Sequence, residues 1–150
     1  RQIEIQFAFD YIDPGSYLAS RLLARWIDQV DEAILVSWRP LELRIPPTPP
    51  PDPADSGWSD MTREIKDHAR CEKVPFLIPT CIPWTRKAHE LAFHAREKGC
   101  FDPVHEALFE AHFTGAHDIG RIDVLVAIGA EHGLDMAEIR TVLGVDRFRS

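Results

Sequence analysis

A strand, a helix and a second strand follow one another between Ile3 and Trp38, and that order constrains the fold more than any other feature. Ile3, Ile5, Phe7 and Phe9 alternate with Glu4, Gln6, Ala8 and Asp10, the period of a strand. Asp13-Pro14-Gly15-Ser16 ends the alternation, and Leu18, Leu22, Leu23 and Trp26 then recur at helical spacing. Asp13 stands where an N-cap belongs, and Pro14 suits the first helical position, where a backbone N–H has no partner to lose. The spacing predicts a helix from Pro14 to about Gln29. Ala33 to Trp38 is an apolar run in place of a clean alternation, predicted as a buried strand that stays extended through Leu43. Strands joined by one helix are expected to be parallel.

The next segment cannot join that sheet. Six prolines lie between Ile45 and Ser56, at 46, 47, 49, 50, 51 and 53. They read as a stiff surface connection in preference to a recognition motif. Everything later reads as helix. Ser59 is expected to cap a helix through Cys71, and Val74 to Pro79 to be extended. Further helices are predicted from Pro83 to Lys98, from the Asp102-Pro103 start to Gly115, and from Arg121 to His132, with Gly99 and Gly133 as stops. Asp135 and Glu138 have capping-box spacing for a last helix ending at Gly144. The expected organisation is a βαβ half over 1–45, a linker over 46–57 and an all-helical domain over 58–150. Two parallel strands with open edges do not make a stable sheet alone. Either further strands follow Ser150, or another chain supplies them, as in a homodimer, or the helices cover the sheet in an unusual way; the chain is expected to be an incomplete domain.

Composition narrows the function. The net charge of −7 argues against a nucleic-acid partner, which needs a basic surface. No apolar run approaches the length of a membrane span. Cys71, Cys81 and Cys100 are odd in number and widely spaced, which fits a reducing, cytoplasmic setting. No metal-ligand spacing occurs, since His105 and His112 are too far apart on one helix to share an ion. Glu90 with His94, and Glu106 with Glu110, have the spacing of exposed i, i+4 pairs.

Several stretches together resemble one family. Phe7 to Ala19, FAFDYIDPGSYLA, is similar to the opening of DsbA-like thioredoxin-fold proteins of the FrnE and 2-hydroxychromene-2-carboxylate isomerase type. Kappa-class glutathione transferases are related to these. Trp38 to Leu43, Thr85 with Ala88-His89 and Leu91, and Ala107 to Phe113 running on to Gly133-Leu134-Asp135 match later family segments in the same order. The resemblance implies a thioredoxin-like βαβ with an inserted all-helical domain. It also implies a cis-proline loop, two strands and a helix after the insertion, and the 150 residues contain no match to these.

The resemblance further implies a site at the turn. Redox members carry Cys-x-x-Cys there, and the two positions are Asp13 and Ser16 in this chain. Neither has sulfur, so direct dithiol exchange at the turn is excluded by composition. The isomerase and transferase relatives place a working hydroxyl at the first position, here Asp13, whose carboxylate would repel a thiolate. Asp13 and Ser16 are the expected catalytic or polar-contact pair. Tyr11, Pro14, Gly15, Trp38, Thr85 and His89 are the expected substrate-binding residues, and Trp58 and Trp84 are further candidates for a cleft wall. The expected function is that of a DsbA-type protein of the oxidoreductase family without dithiol activity, binding a thiol or small organic substrate at the start of the first helix. A glutathione-dependent isomerase or transferase, with glutathione as cofactor, and a non-catalytic binding module are the alternatives. Whether the chain is an enzyme stays open at this point.

Overall fold

The computed structural model describes residues 1–144. The elements run β1 (Gln2–Phe9), α1 (Pro14–Ile27), β2 (Ala33–Pro40), α2 (Ser56–Cys71), α3 (Arg86–Glu97), α4 (Phe101–Phe113), α5 (Ile122–Glu131) and α6 (Met136–Gly144). The chain is thus mixed α/β, with a short two-stranded sheet followed by a run of helices. Residues 145–150, the end of the expected helical domain, lie outside the described residues.

β1 and β2 pair in parallel with Gln2 opposite Ala33 and Phe9 opposite Pro40, as a βαβ unit requires. That register puts Ile3 beside Ile34, Ile5 beside Val36 and Phe7 beside Trp38 on one face. The Phe7 and Trp38 rings lie 5.0 Å apart, so the end of the sheet nearest the turn is held by aromatic packing as well as by the ladder. Among the described residues each strand is paired along one edge only. β2 is not the buried strand its composition suggested. Leu35 is 49% exposed, because none of the described residues covers its face of the sheet. An apolar run reports that a strand can be buried, whereas burial needs layers on both faces.

α1 starts as expected but ends at Ile27, two residues early. Only its first turns enter the core. Pro14, Ser16, Tyr17 and Leu18 are buried, Leu22 is partly buried, and Trp26 is 42% exposed. Tyr17 anchors this end: its hydroxyl donates to the Pro75 carbonyl at 2.6 Å and its ring stacks on Phe113 at 4.9 Å. At the far end Arg25 donates to the carbonyls of Glu72 and Lys73, the two residues that follow α2.

The later helices sit where the spacing placed them, with corrected caps. α2 begins at Ser56 and is capped by Asp55, which accepts from Trp58 N, so Ser59 lies inside the helix. α3 begins at Arg86, three residues after Pro83. α4 is preceded by Cys100, which places Asp102 in the first turn instead of at the cap. There its carboxylate still faces the positive end of the helix. Asp135 caps α6, accepting from Glu138 N at 2.8 Å. Gly99 and Gly133 both take positive φ, the left-handed geometry that ends a helix and suits glycine. One apolar cluster runs from Phe9, Tyr11 and Tyr17 through Leu91, Leu108 and Phe109 to Ile139 and Leu143. The sheet end and the helices therefore share a core.

Candidate functional site

The turn between β1 and α1 is built by its own side chains. Asp13 has extended backbone geometry and accepts from Gly15 N at 3.3 Å and Ser16 N at 3.1 Å. Those are two of the four N–H groups a helix leaves without partners. The Ser16 hydroxyl donates to the same carboxylate at 2.7 Å and accepts from Asp10 N at 3.4 Å. The positive end of α1 is thus already occupied by a negative charge that the chain supplies. Pro14 and Ser16 are buried, while Asp13 and Gly15 keep partial access to solvent.

A second carboxylate ties this turn to the helical layer. Asp10 is 1% exposed. Its Oδ1 accepts from Tyr11 N at 2.8 Å and meets His89 Nε2 at 3.0 Å, and its Oδ2 accepts from Leu43 N at 2.8 Å. One side chain therefore fastens the end of β1, the chain after β2 and α3 together. Because Asp10 accepts, the proton of a neutral His89 ring sits on Nε2, and Nδ1 is left as an acceptor. That Nδ1 is buried without a hydrogen-bond partner among the described residues. Sequence reading found His89 and missed Asp10, which passed as the last polar residue of an alternating strand. The available signal was the position itself, a carboxylate at the C-terminal end of a strand just before a turn.

The other expected site residues divide into two sets. Thr85 is buried at the start of α3, and its carbonyl accepts from His89 N at 2.9 Å, so these two share one helical turn. Tyr11 is wholly buried, with its hydroxyl 2.8 Å from His105 Nδ1. Burial holds its phenol well above the usual tyrosine range, so it remains protonated at neutral pH. Trp38 packs on Phe7, Phe9 and His105. Trp84 is 41% exposed and donates to the Thr48 carbonyl, pinning the proline-rich segment, while Trp58 is half-buried in α2.

The histidines correct one expectation. Glu90 and His94 are each 3% exposed, so this pair faces the interior and not solvent. His105 and His112 are also buried, and burial lowers them to about 3 and about 4 respectively. Both rings are therefore neutral at pH 7. The cysteines are free thiols, with Cys71 and Cys81 exposed and Cys100 half-buried. Local burial, followed by the carboxylate of Asp118, pushes the Cys81 thiol up and away from thiolate character. Among the described residues no group of three or more His, Cys, Asp or Glu side chains is arranged to hold a metal ion. No helix among them is long and apolar enough to cross a membrane.

The model of the DSBA-like thioredoxin domain matches residues 4–149. The chain belongs to that family. Its sequence is 27% identical over 145 residues to the uncharacterized protein YwbO of Bacillus subtilis, covering 94% of this chain and 72% of YwbO. Among solved structures, a probable DsbA oxidoreductase from Streptomyces coelicolor superposes with a TM-score of 0.79 at 18% identity, covering 95% of this chain and 68% of that one. A 2-hydroxychromene-2-carboxylate isomerase superposes with a TM-score of 0.76 at 14% identity, covering 96% and 72%. At such identities the two structures show the DsbA-like fold. The turn described above is the start of the first helix of that fold in this member of the family.

Proposed function

We propose that this member of the DsbA family has exchanged dithiol chemistry for polar binding at the β1–α1 turn. There it holds a neutral thiol or another small organic molecule that brings a hydrogen-bond donor. The observation that carries this reading is the Asp13 carboxylate, which takes two helix-start N–H groups and the Ser16 hydroxyl at once. A thiolate needs those same donors, and it would meet a negative charge already in place. A neutral S–H, O–H or N–H group would instead find an acceptor, because Asp13 Oδ1 accepts only from Gly15 N in the turn. Pro14 and Gly15 would form the floor. His89, bonded to Asp10, and Thr85, one helical turn before it, would form a wall on the α3 side, and Trp38 and Tyr11 would support it from the core.

A second reading is glutathione-dependent isomerisation or transfer through the Ser16 hydroxyl, and a solved 2-hydroxychromene-2-carboxylate isomerase shares the fold. Ser16 speaks against its simplest form, because its proton is directed at Asp13 and cannot also serve a glutathione thiolate. Calorimetric titration separates the two. A small neutral thiol such as 2-mercaptoethanol is expected to bind better at pH 6 than at pH 10, where it ionises, and Asp13→Ala should weaken it. Tight glutathione binding that strengthens with pH and is lost in Ser16→Ala would overturn the first reading in favour of the second.

A further inference from the structure

The proline-rich segment after β2 is pinned to the residues that precede α3, and a cleft of about 440 Å³ lies beside it. Pro46, Pro50, Pro83 and Trp84 give this cleft apolar walls. Its shape is fixed from two sides. The Trp84 indole N–H donates to the Thr48 carbonyl at 2.7 Å, which holds the ring in place while 41% of the residue stays exposed. On the other side, the loop before α5 comes very close to Pro83. A Cβ at Gly120 would lie 2.6 Å from Pro83 Cβ, so only glycine permits this approach. Asp118 Oδ1 accepts from Gly120 N at 2.9 Å and holds the loop there. Arg121, the next residue, is thereby brought to the cleft.

The charge of the cleft runs against that of the chain. The chain carries −7 overall, yet Arg86, Lys87 and Arg121 line the cleft against one carboxylate, Asp118. The carboxylates that pair with the two arginines, Glu42 and Asp123, lie outside the lining. Arg86 gives Glu42 its Nε and Nη2, and Arg121 gives Asp123 the same two nitrogens. Among the described residues neither Nη1 has an acceptor, so each guanidinium keeps donors for a further anion. Both are reachable, since the Arg121 side chain is 65% exposed and that of Arg86 24%. Guanidinium forks suit a carboxylate, and the tryptophan and proline rings suit a flat apolar group joined to it.

We propose that this cleft binds a small aromatic carboxylate. The ring packs on Trp84 and the prolines, and the carboxylate accepts from the Nη1 groups of Arg86 and Arg121. The cleft shares no lining residue with the β1–α1 turn, and the site does not depend on how that turn functions.

Benzoate is the probe, with benzamide as its uncharged counterpart and acetate as the carboxylate without a ring. Each is titrated into the full chain and followed by NMR at the Gly120 amide and at the Trp84 indole N–H, which is identified by its loss in Trp84→Phe. Benzoate is expected to shift both signals saturably, and benzamide and acetate to bind more weakly by about fivefold or more. Arg121→Gln should weaken benzoate about fivefold, the factor one hydrogen bond of ~1 kcal/mol supplies. Asp123→Asn removes the carboxylate that competes for Arg121 and should tighten benzoate about twofold, a gain that a purely structural Arg121 would not give. Absence of saturation, or shifts centred away from Trp84 and Gly120, would refute the site. So would an Arg121→Gln variant that binds benzoate like the parent. Benzamide binding as tightly as benzoate would refute the charge recognition, and acetate binding as tightly would refute the ring contact.

Discussion

The β1–α1 turn and the buried histidine layer meet at Asp10, yet they handle polar groups in opposite ways. At the turn the Asp13 carboxylate and Ser16 hydroxyl satisfy one another and the first N–H groups of α1 within a few residues of sequence. In the helical layer, His94 Nε2, His105 Nε2, His89 Nδ1 and both nitrogens of His112 are buried without hydrogen-bond partners among the described residues. Local satisfaction makes the turn robust. The layer depends on the His105 and His112 rings staying neutral, and its polar contacts join residues far apart in the chain. Side chains of similar polarity should therefore respond to substitution with different sizes, and even with different signs.

Acid is expected to have the largest effect. His105 and His112 titrate near 3 and 4 when folded and near 6.5 when unfolded, so the unfolded chain binds more protons as pH falls below 7. Stability is then complete above about pH 6.5 and is lost as pH drops toward the folded values. Between pH 7 and pH 5 each ring should remove about 2 kcal/mol, or about 4 kcal/mol together. Urea unfolding across that range checks it, and a flat profile would mean that these rings have partners. Next comes Asp10→Ala, which strands His89, Leu43 N and Tyr11 N together. A loss of about 3 kcal/mol is expected in the same experiment, as for other broken buried networks. His112→Leu should do the reverse. Removing two unpartnered buried nitrogens is expected to raise stability by about 1 kcal/mol and to roughly halve the acid slope. Asp13→Ala has the smallest expected effect, about 1 kcal/mol for a lost cap, read from the same urea unfolding.

The same contrast explains what could be read without coordinates. The strand alternation, the Asp13 cap, the glycine stops and the Asp135 cap are local signals, each carried by residues within one or two turns of one another. The parallel pairing followed from connectivity. Asp10 with His89, separated by 79 residues, and Tyr11 with His105, separated by 94, have no local signature. The Glu90–His94 spacing looked exposed because polar identity is a guide to the surface only until a layer folds over it. The apolar composition of β2 misled in the opposite direction, since the open edge and the half-covered face depend on what else packs there. The cleft beside Trp84 was out of reach for the same reason.

The central claim is that the Asp13 carboxylate occupies a place at the helix start that favours an anion and would otherwise suit a thiolate. The direct measurement is the thiol pKa of Asp13→Cys in a chain whose native thiols are removed by Cys71→Ser, Cys81→Ser and Cys100→Ser. It is read from the pH dependence of alkylation by iodoacetamide. The expected thiol titrates well below the ~8.5 of a free cysteine, because the Gly15 and Ser16 N–H groups and the Ser16 hydroxyl all become available to it. A value at or above ~8.5 would contradict the claim.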